Sequence, residues 1–408
     1  MHFRKSGFLV FLALCVLLLA SCKPEPVEDP PQQEYSALPQ ENRQAVNSWE
    51  VCPSSAANGF FSCAKAVWFY DADQRQSIAL CAQPGCSHQD PVCGAWIGDV
   101  MNYTEYHGEL YAILDEGGNG VRFVRKNLSD GTVTTLETWE NMEGSYYSAN
   151  LCTIADQMAL VTVKCYQTVA EEGVTVEEQT EYWLFDLTSG EKRVLLPNEN
   201  LEELNIIAIS ADYFAAIYTP LDQQLLEPEA FAEQYGENAN YGRYLDVETV
   251  RELRLYDSKT MEYTVIASTR QDRFVRSGDP AVVSGKLVIY QCGDTIYTLN
   301  VDTGETTQIL TMEGIINYWM MDEKVFLITQ NLPGYISSGP ELELGFYYAD
   351  LGSGELHKLE NGGNTRAMEF SIIREGEGFF IGNWNGGTCL ISKADFYAEN
   401  YENAVRVG

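Results

Sequence analysis

The sequence is short of positive charge. It carries 26 lysines and arginines against 59 aspartates and glutamates, with four histidines, for a formal charge of −33 over 408 residues. A surface of that sign repels phosphate backbones, which excludes nucleic acid as a partner, and it gains nothing from anionic lipid headgroups. Also missing is any apolar run of the roughly 20 residues that a membrane-crossing helix needs. Motifs of familiar catalysts are absent too: there is no Gly-x-Ser-x-Gly nucleophile elbow and no His-Glu-x-x-His metal pair. Beyond the first residues only His88, His107 and His357 remain as histidines, the last two in or beside strand-like runs. Gly117-Gly118-Asn119-Gly120 reads as a hairpin loop rather than a phosphate cradle, because no helix pattern follows it. These absences favour a binding protein over an enzyme without deciding between them.

What is present begins with a leader. Met1-His2-Phe3-Arg4-Lys5 is basic, Phe8 to Ala20 is apolar, and the exit is Leu19-Ala20-Ser21-Cys22. A basic start, a short apolar run and small residues make a secretory signal peptide. The exit resembles the lipobox of bacterial lipoproteins, in which the chain is cut before a cysteine that then receives lipid. That resemblance implies cleavage before Cys22 and anchoring of Cys22 in membrane lipid, outside the cytoplasm; two acyl chains on one cysteine anchor stably. Loss of Arg4 and Lys5 takes the formal charge from −33 to −35. Lys23 to Gln33 is dominated by proline and charge, so it cannot bury enough surface to fold and serves as a tether. The expected organisation is a signal peptide at 1–21, lipidated cysteine and tether at 22–44, and a folded body at 45–408.

The body repeats one phrase. An alternating apolar run ends in Asp or Asn, passes a short polar turn, often with glycine, and leads into another alternating run. The markers are Asp71, Asn127, Asp186, Asp257, Asn300 and Asp350, spaced by 56, 59, 71, 43 and 50 residues. The side chain of Asp or Asn starts the turn, glycine closes it, and the flanks have the period of half-buried strands. A second hairpin precedes each phrase, at Gly59, Gly108, Asp156, Asp212, Gly285, Glu323 and Gly376, the last of these ahead of a weak seventh copy near Thr388 to Lys393. Two hairpins make one four-stranded blade, and an exposed blade face requires a neighbour, so the blades must close into a ring. The expected fold is an all-β propeller of seven blades, with six and eight the neighbouring counts. The C-terminal run Asn403 to Val407 is expected to pair with a strand near the N-terminus. Insertions are expected at about 166–181, 220–250 and 332–344, the second with a short helix from Pro228 to Gly236.

One stretch has metal-ligand chemistry. Cys81, Cys86, His88 and Cys93 follow the spacing Cys-x4-Cys-x-His-x4-Cys. Three thiolates and one imidazole make a closed tetrahedral zinc set, structural because no position is left for water. The alternative carries equal weight: outside the cytoplasm, Cys81 and Cys93, or either with Cys52 or Cys63, can form a disulfide. Nine cysteines remain after Cys15 and Cys22, an odd number, so disulfides cannot consume all of them within one chain.

The lipobox, the propeller phrases and the run from Leu80 to Cys93 together resemble a group of lipoproteins of gut Clostridia-type Firmicutes. In these, a Leu-Cys-x4-Cys-x-His-x4-Cys segment follows an early strand, ahead of a TolB-like propeller body. The group has no established activity, so the resemblance implies location and fold alone. Three functions stay open on the residues. The first is a surface binding module for a glycan, a peptide or another envelope protein, with loop-face Trp and Tyr favouring sugar. The second is a propeller enzyme acting on extracellular polysaccharide with carboxylates from several blades. The third is a metal or redox role for the cysteine–histidine cluster. The pairs Asp71 with Asp73 and Asp302 with Asp350 read as turn residues rather than catalytic carboxylates.

Overall fold

Each marker residue ends a strand and starts an Asx turn. Asp71 Oδ1 accepts the N–H groups of Asp73 and Gln74, both at 2.8 Å. Asn127 does the same for Ser129 and Asp130, and Asp186 for Thr188 and Ser189. Asp257, Asn300 and Asp350 repeat the arrangement with Lys259 and Thr260, Asp302 and Thr303, and Gly352 and Ser353. Those N–H groups hold the carboxyls of Asp186, Asp257 and Asp350 below the usual carboxylate range. The seventh copy differs. Ser392 ends the strand and caps a short helix, Lys393–Tyr397, its Oγ accepting from Asp395 N at 3.0 Å.

These turns belong to seven four-stranded antiparallel sheets in a computed structural model of the chain, each built from strands consecutive in sequence. The structure describes residues 54–56, 58–169, 174–195, 204–220, 223–237, 239–269, 282–283, 286–330, 344–360 and 370–407. Apart from Ala82–Pro84, the described residues fall in one compact unit. The first blade comprises Ser54–Ala56, Gly59–Cys63, Val67–Asp71 and Gln76–Ala79. The second comprises Val100–Tyr106, Glu109–Asp115, Gly120–Asn127 and Val133–Glu140. The third to sixth begin at Ser145, Leu204, Val282 and Ile315. The last comprises Ser371–Glu375, Phe379–Trp384, Gly387–Ser392 and Val405–Arg406. The protein is a seven-bladed propeller.

Alternation places the core between blades. Along Gly59–Cys63, Phe60 faces the last blade, where it packs with Tyr70, Ile381 and Leu390. Its neighbour Phe61 faces the second blade with Phe69, Leu110 and Val124. Both faces of an inner strand are therefore dry, which explains continuous apolar runs such as Trp319 to Met321 and Val325 to Ile328. Every pair of adjacent blades shares one such cluster, including the last with the first, so the ring closes by packing.

Two expectations are corrected and one is extended. The C-terminal strand Val405–Arg406 pairs inside the last blade, Leu390 with Val405 and Cys389 with Arg406, rather than with the N-terminal strand. This follows because the last blade has three other strands and lacks its outer one. The described part of the insertion at 166–181 is strand rather than loop: Met158–Val169 and Val174–Asp186 pair along their length. The insertion at 220–250 holds the expected helix, Pro228–Tyr235, and a second, Tyr241–Glu248, packed together through Phe231 and Tyr244. The insertion at 332–344 lies outside the described residues but for its last position, as do Cys22, the tether and Cys52.

Candidate metal centre and adjoining cleft

The first blade's outer strand ends at Ala79, and the second blade's inner strand starts at Val100. The crossover between them carries the cysteine–histidine segment. Its second half is laid against the first blade by backbone bonds: Val67 N to Ala95 O at 2.9 Å, Ile97 N to Lys65 O at 2.8 Å and Val100 N to Ala64 O at 3.1 Å. Asp90 Oδ1 accepts Val92 N at 3.0 Å and its carbonyl accepts Cys93 N at 3.1 Å, which turns the chain and delivers Cys93 inward.

The four predicted ligands come together. One ligand atom from each of Cys81, Cys86, His88 and Cys93 lies within 4.8 Å of all the others. Around a zinc ion with Zn–S near 2.3 Å, tetrahedral sulfurs stand about 3.8 Å apart, so the set needs only small adjustments to close on an ion. His88 Nδ1 is 3.3 Å from Cys93 Sγ. The pairing of Cys86 and His88 is not that of an extended strand, where both would point one way. His88 adopts a left-handed φ of 58°, and its N–H donates to Cys86 Sγ at 3.4 Å. Ala95 N donates to Cys93 Sγ at 3.3 Å. The Ala95 N–H aimed at the Cys93 sulfur favours its thiolate, against the burial that opposes it.

The surroundings are dry and small. Cys93 is buried, packed with Ala66, Ala79 and Ala95, while Cys81, Cys86 and Trp96 are half-buried against them. Burial pushes the Cys93 thiol up to about 11, with Ala95 N–H pulling down and the neighbouring thiols of Cys86 and Cys81 pushing up. Cys63, beneath the same crossover, is pushed up to about 12 by burial. All eight described cysteines stand as free thiols. Cys152, Cys165, Cys292 and Cys389 belong to the third, fifth and seventh blades, away from the set.

Beside the centre an open cleft of about 810 Å³ is lined by Lys65, Trp68, His88, Gln89 and Trp96, with Ser62 and Ser87. Trp68 is 36 % exposed, and its ring meets that of His88 edge to face at 5.5 Å. Lys65 pairs with Asp99 at 2.8 Å. His88 is thus common to the centre and to the cleft wall.

The other residues singled out in the sequence have structural places. Asp71 and Asp350 are turn starters, and Asp302 pairs with Lys286 at 2.6 Å. His107 sits in a turn at φ 52° against the Tyr106 ring, and His357 stacks on Tyr348 at 4.8 Å. Two features escaped the sequence. The cleft forms only when Trp68 and Trp96, far apart along the chain, come to line the same opening. Lys126 sits fully buried beneath the crossover, and the one signal for it is a lysine in phase with core residues Val124 and Leu128.

No protein-family model matches the chain, and no curated protein matches it in sequence. Among solved structures, it is similar to an uncharacterised protein of Listeria monocytogenes at 9% identity, TM-score 0.47, over 88% of this chain and 95% of that one. It is similar to puromycin hydrolase at 10% identity, TM-score 0.44, over 92% of this chain and 56% of that one. It is similar to an oligogalacturonate lyase in complex with manganese at 13% identity, TM-score 0.37, over 71% and 72%. No chemistry carries across to this chain at such identities and scores.

Proposed function

We propose that this chain is a lipid-anchored binding module held outside the cytoplasm, in which Cys81, Cys86, His88 and Cys93 bind a structural zinc ion and thereby shape an aromatic cleft for a saccharide. The observation that carries the reading is the double role of His88, one of four converging ligand side chains and a wall of the cleft. Three sulfurs and an imidazole suit zinc, and four protein ligands leave no open position, so the ion holds shape rather than activating water. Trp68 and Trp96 offer apolar ring faces, and Gln89, Ser62 and Ser87 offer hydrogen bonds, the mixture that suits a sugar ring. Anchoring rests on the leader pattern and on Cys22.

The test uses the mature chain with Cys22→Ser. Elemental mass spectrometry and free-thiol counting on one sample should give about one zinc per chain, as a closed four-ligand site holds. That zinc should be lost in Cys86→Ser and in His88→Ala. Calorimetric titration with oligosaccharides should show binding that Trp68→Ala abolishes while zinc stays. A metal-free chain with few reactive thiols would mean a disulfide knot instead.

A further inference from the structure

Lys126 is 1% exposed, in a strand whose alternation gives that position to the core between the first two blades. Its ammonium donates to three backbone carbonyls: Gly94 at 2.7 Å, Gly131 at 2.8 Å and Trp96 at 3.3 Å. Two of those acceptors lie within three residues of Cys93, and the third lies in the Asx turn of the second blade. All three donors of the group are used. The hydrogen bonds satisfy geometry but bring no negative charge. The ionisable groups acting on the ammonium are the thiols of Cys63, Cys93 and Cys81, and the exposed carboxylate of Asp130. Burial pulls the ammonium down from its ordinary value and these groups oppose that, Asp130 from its exposed turn and the thiols from inside the corner, so thiolate charge beside the lysine would favour its charged form.

Three thiolates and a neutral imidazole around a divalent ion leave one net negative charge. A disulfide between any two of the cysteines leaves none. We propose that Lys126 is the counter-charge of the cysteine–histidine centre: it positions the Cys93 arm through the Gly94 and Trp96 carbonyls and balances the surplus charge of a three-thiolate, divalent-metal site. Ligands and lysine together then make a neutral unit. The inference rests on the metal reading of the centre and adds to it a preference for an anionic, thiolate-rich metal complex.

The test is zinc affinity by chelator competition on the mature chain with Cys22→Ser. Lys126→Gln keeps hydrogen-bond donors but removes charge. It should weaken zinc about 10- to 100-fold, the range for residues that support a ligand shell. Lys126→Arg keeps the charge and should stay within about threefold. A cycle separates charge from clamping. Cys81→His makes the complex neutral, and in that background Lys126→Gln should change affinity by less than about threefold. Equal loss in both backgrounds would reduce Lys126 to a clamp and overturn the proposal, as would unchanged affinity in Lys126→Gln. If Lys126→Gln does not fold, Lys126→Arg decides: retained affinity supports the charge role, and a tenfold loss in a folded variant overturns it. A wild-type chain that binds no zinc would instead defeat the metal reading itself.

Discussion

The first blade is held differently on its two sides. Toward the last blade, the seam consists of Phe60, Tyr70, Ile381 and Leu390, with Ala72, Phe379 and Val407 half-buried around them. Among the described residues no strand is shared across it, since each blade uses four consecutive strands. Toward the second blade, a larger cluster that includes Phe61, Phe69, Leu110 and Val124 is reinforced by the crossover, its backbone bonds to the first blade, and the cysteine–histidine set. The sequence order makes one seam a junction between consecutive blades and the other a contact between the first and last blades. Among the described residues the first seam closes by packing, and the cysteine–histidine set lies at the second.

On the proposed reading, removing the metal should break the reinforced side. Treatment with a strong chelator, or His88→Ala, should lower stability by on the order of 4 kcal/mol, the linkage expected for an ion present far above its dissociation constant. Scanning calorimetry would read it. Phe60→Ala attacks the other side and should cost about 3–4 kcal/mol as a large-to-small core change, with zinc content unchanged in elemental analysis. Loss of zinc in that variant would mean that the two seams are not independent.

Two glycines sharpen the comparison. Gly131 and Gly190 occupy equivalent turns at φ 77° and 76°. A Cβ at 190 meets nothing within 4 Å, whereas at 131 it would stand 3.0 Å from the Gly94 carbonyl, beside the centre. Gly190→Ala should cost about 1 kcal/mol for the left-handed backbone, and Gly131→Ala about twice that. Denaturant titration of the pair would check the order.

The smallest effect is a pH dependence at the seam between the sixth and last blades. Burial raises Glu375 from 4.5 to about 7, with Asp322 adding to the rise and Lys393 opposing it. A raised carboxyl is protonated more readily folded than unfolded, so its contribution is full below about 4.5 and fades as pH climbs to about 7. Glu375→Gln should flatten the unfolding midpoint across that window. An unaltered slope would remove Glu375 as its source.

Much of this was legible because it is local. An Asx turn needs only Asp or Asn and the two residues after it, so the six turns from Asp71 to Asp350 could be read from the phrase alone. The ligand set was legible for the same reason, all four residues lying between 81 and 93. What the sequence hid was long-range. Trp68 and Trp96 come to line one cleft where a bridge pairs Ala66 with Trp96. Lys126 looks like an ordinary strand lysine until the Gly94 and Trp96 carbonyls arrive above it. The helix Tyr241–Glu248 was missed because Gly242 and its polar neighbours suggest a loop, while its stability comes from the Asn240 cap and from Tyr244 against Phe231. The C-terminal strand was assigned to the wrong partner because two residues carry too little pattern to specify one.

The measurement that tests the central claim most directly is hydrogen exchange on the mature chain, with Cys22→Ser, before and after metal removal. If the centre staples the seam between the first and second blades, the amides of Val67, Trp96, Ile97 and Val100 should lose protection without metal, while Ala72 and Val407 keep theirs. Unchanged protection at Val67 and Ile97 in a chain shown to have released its ion would contradict the account.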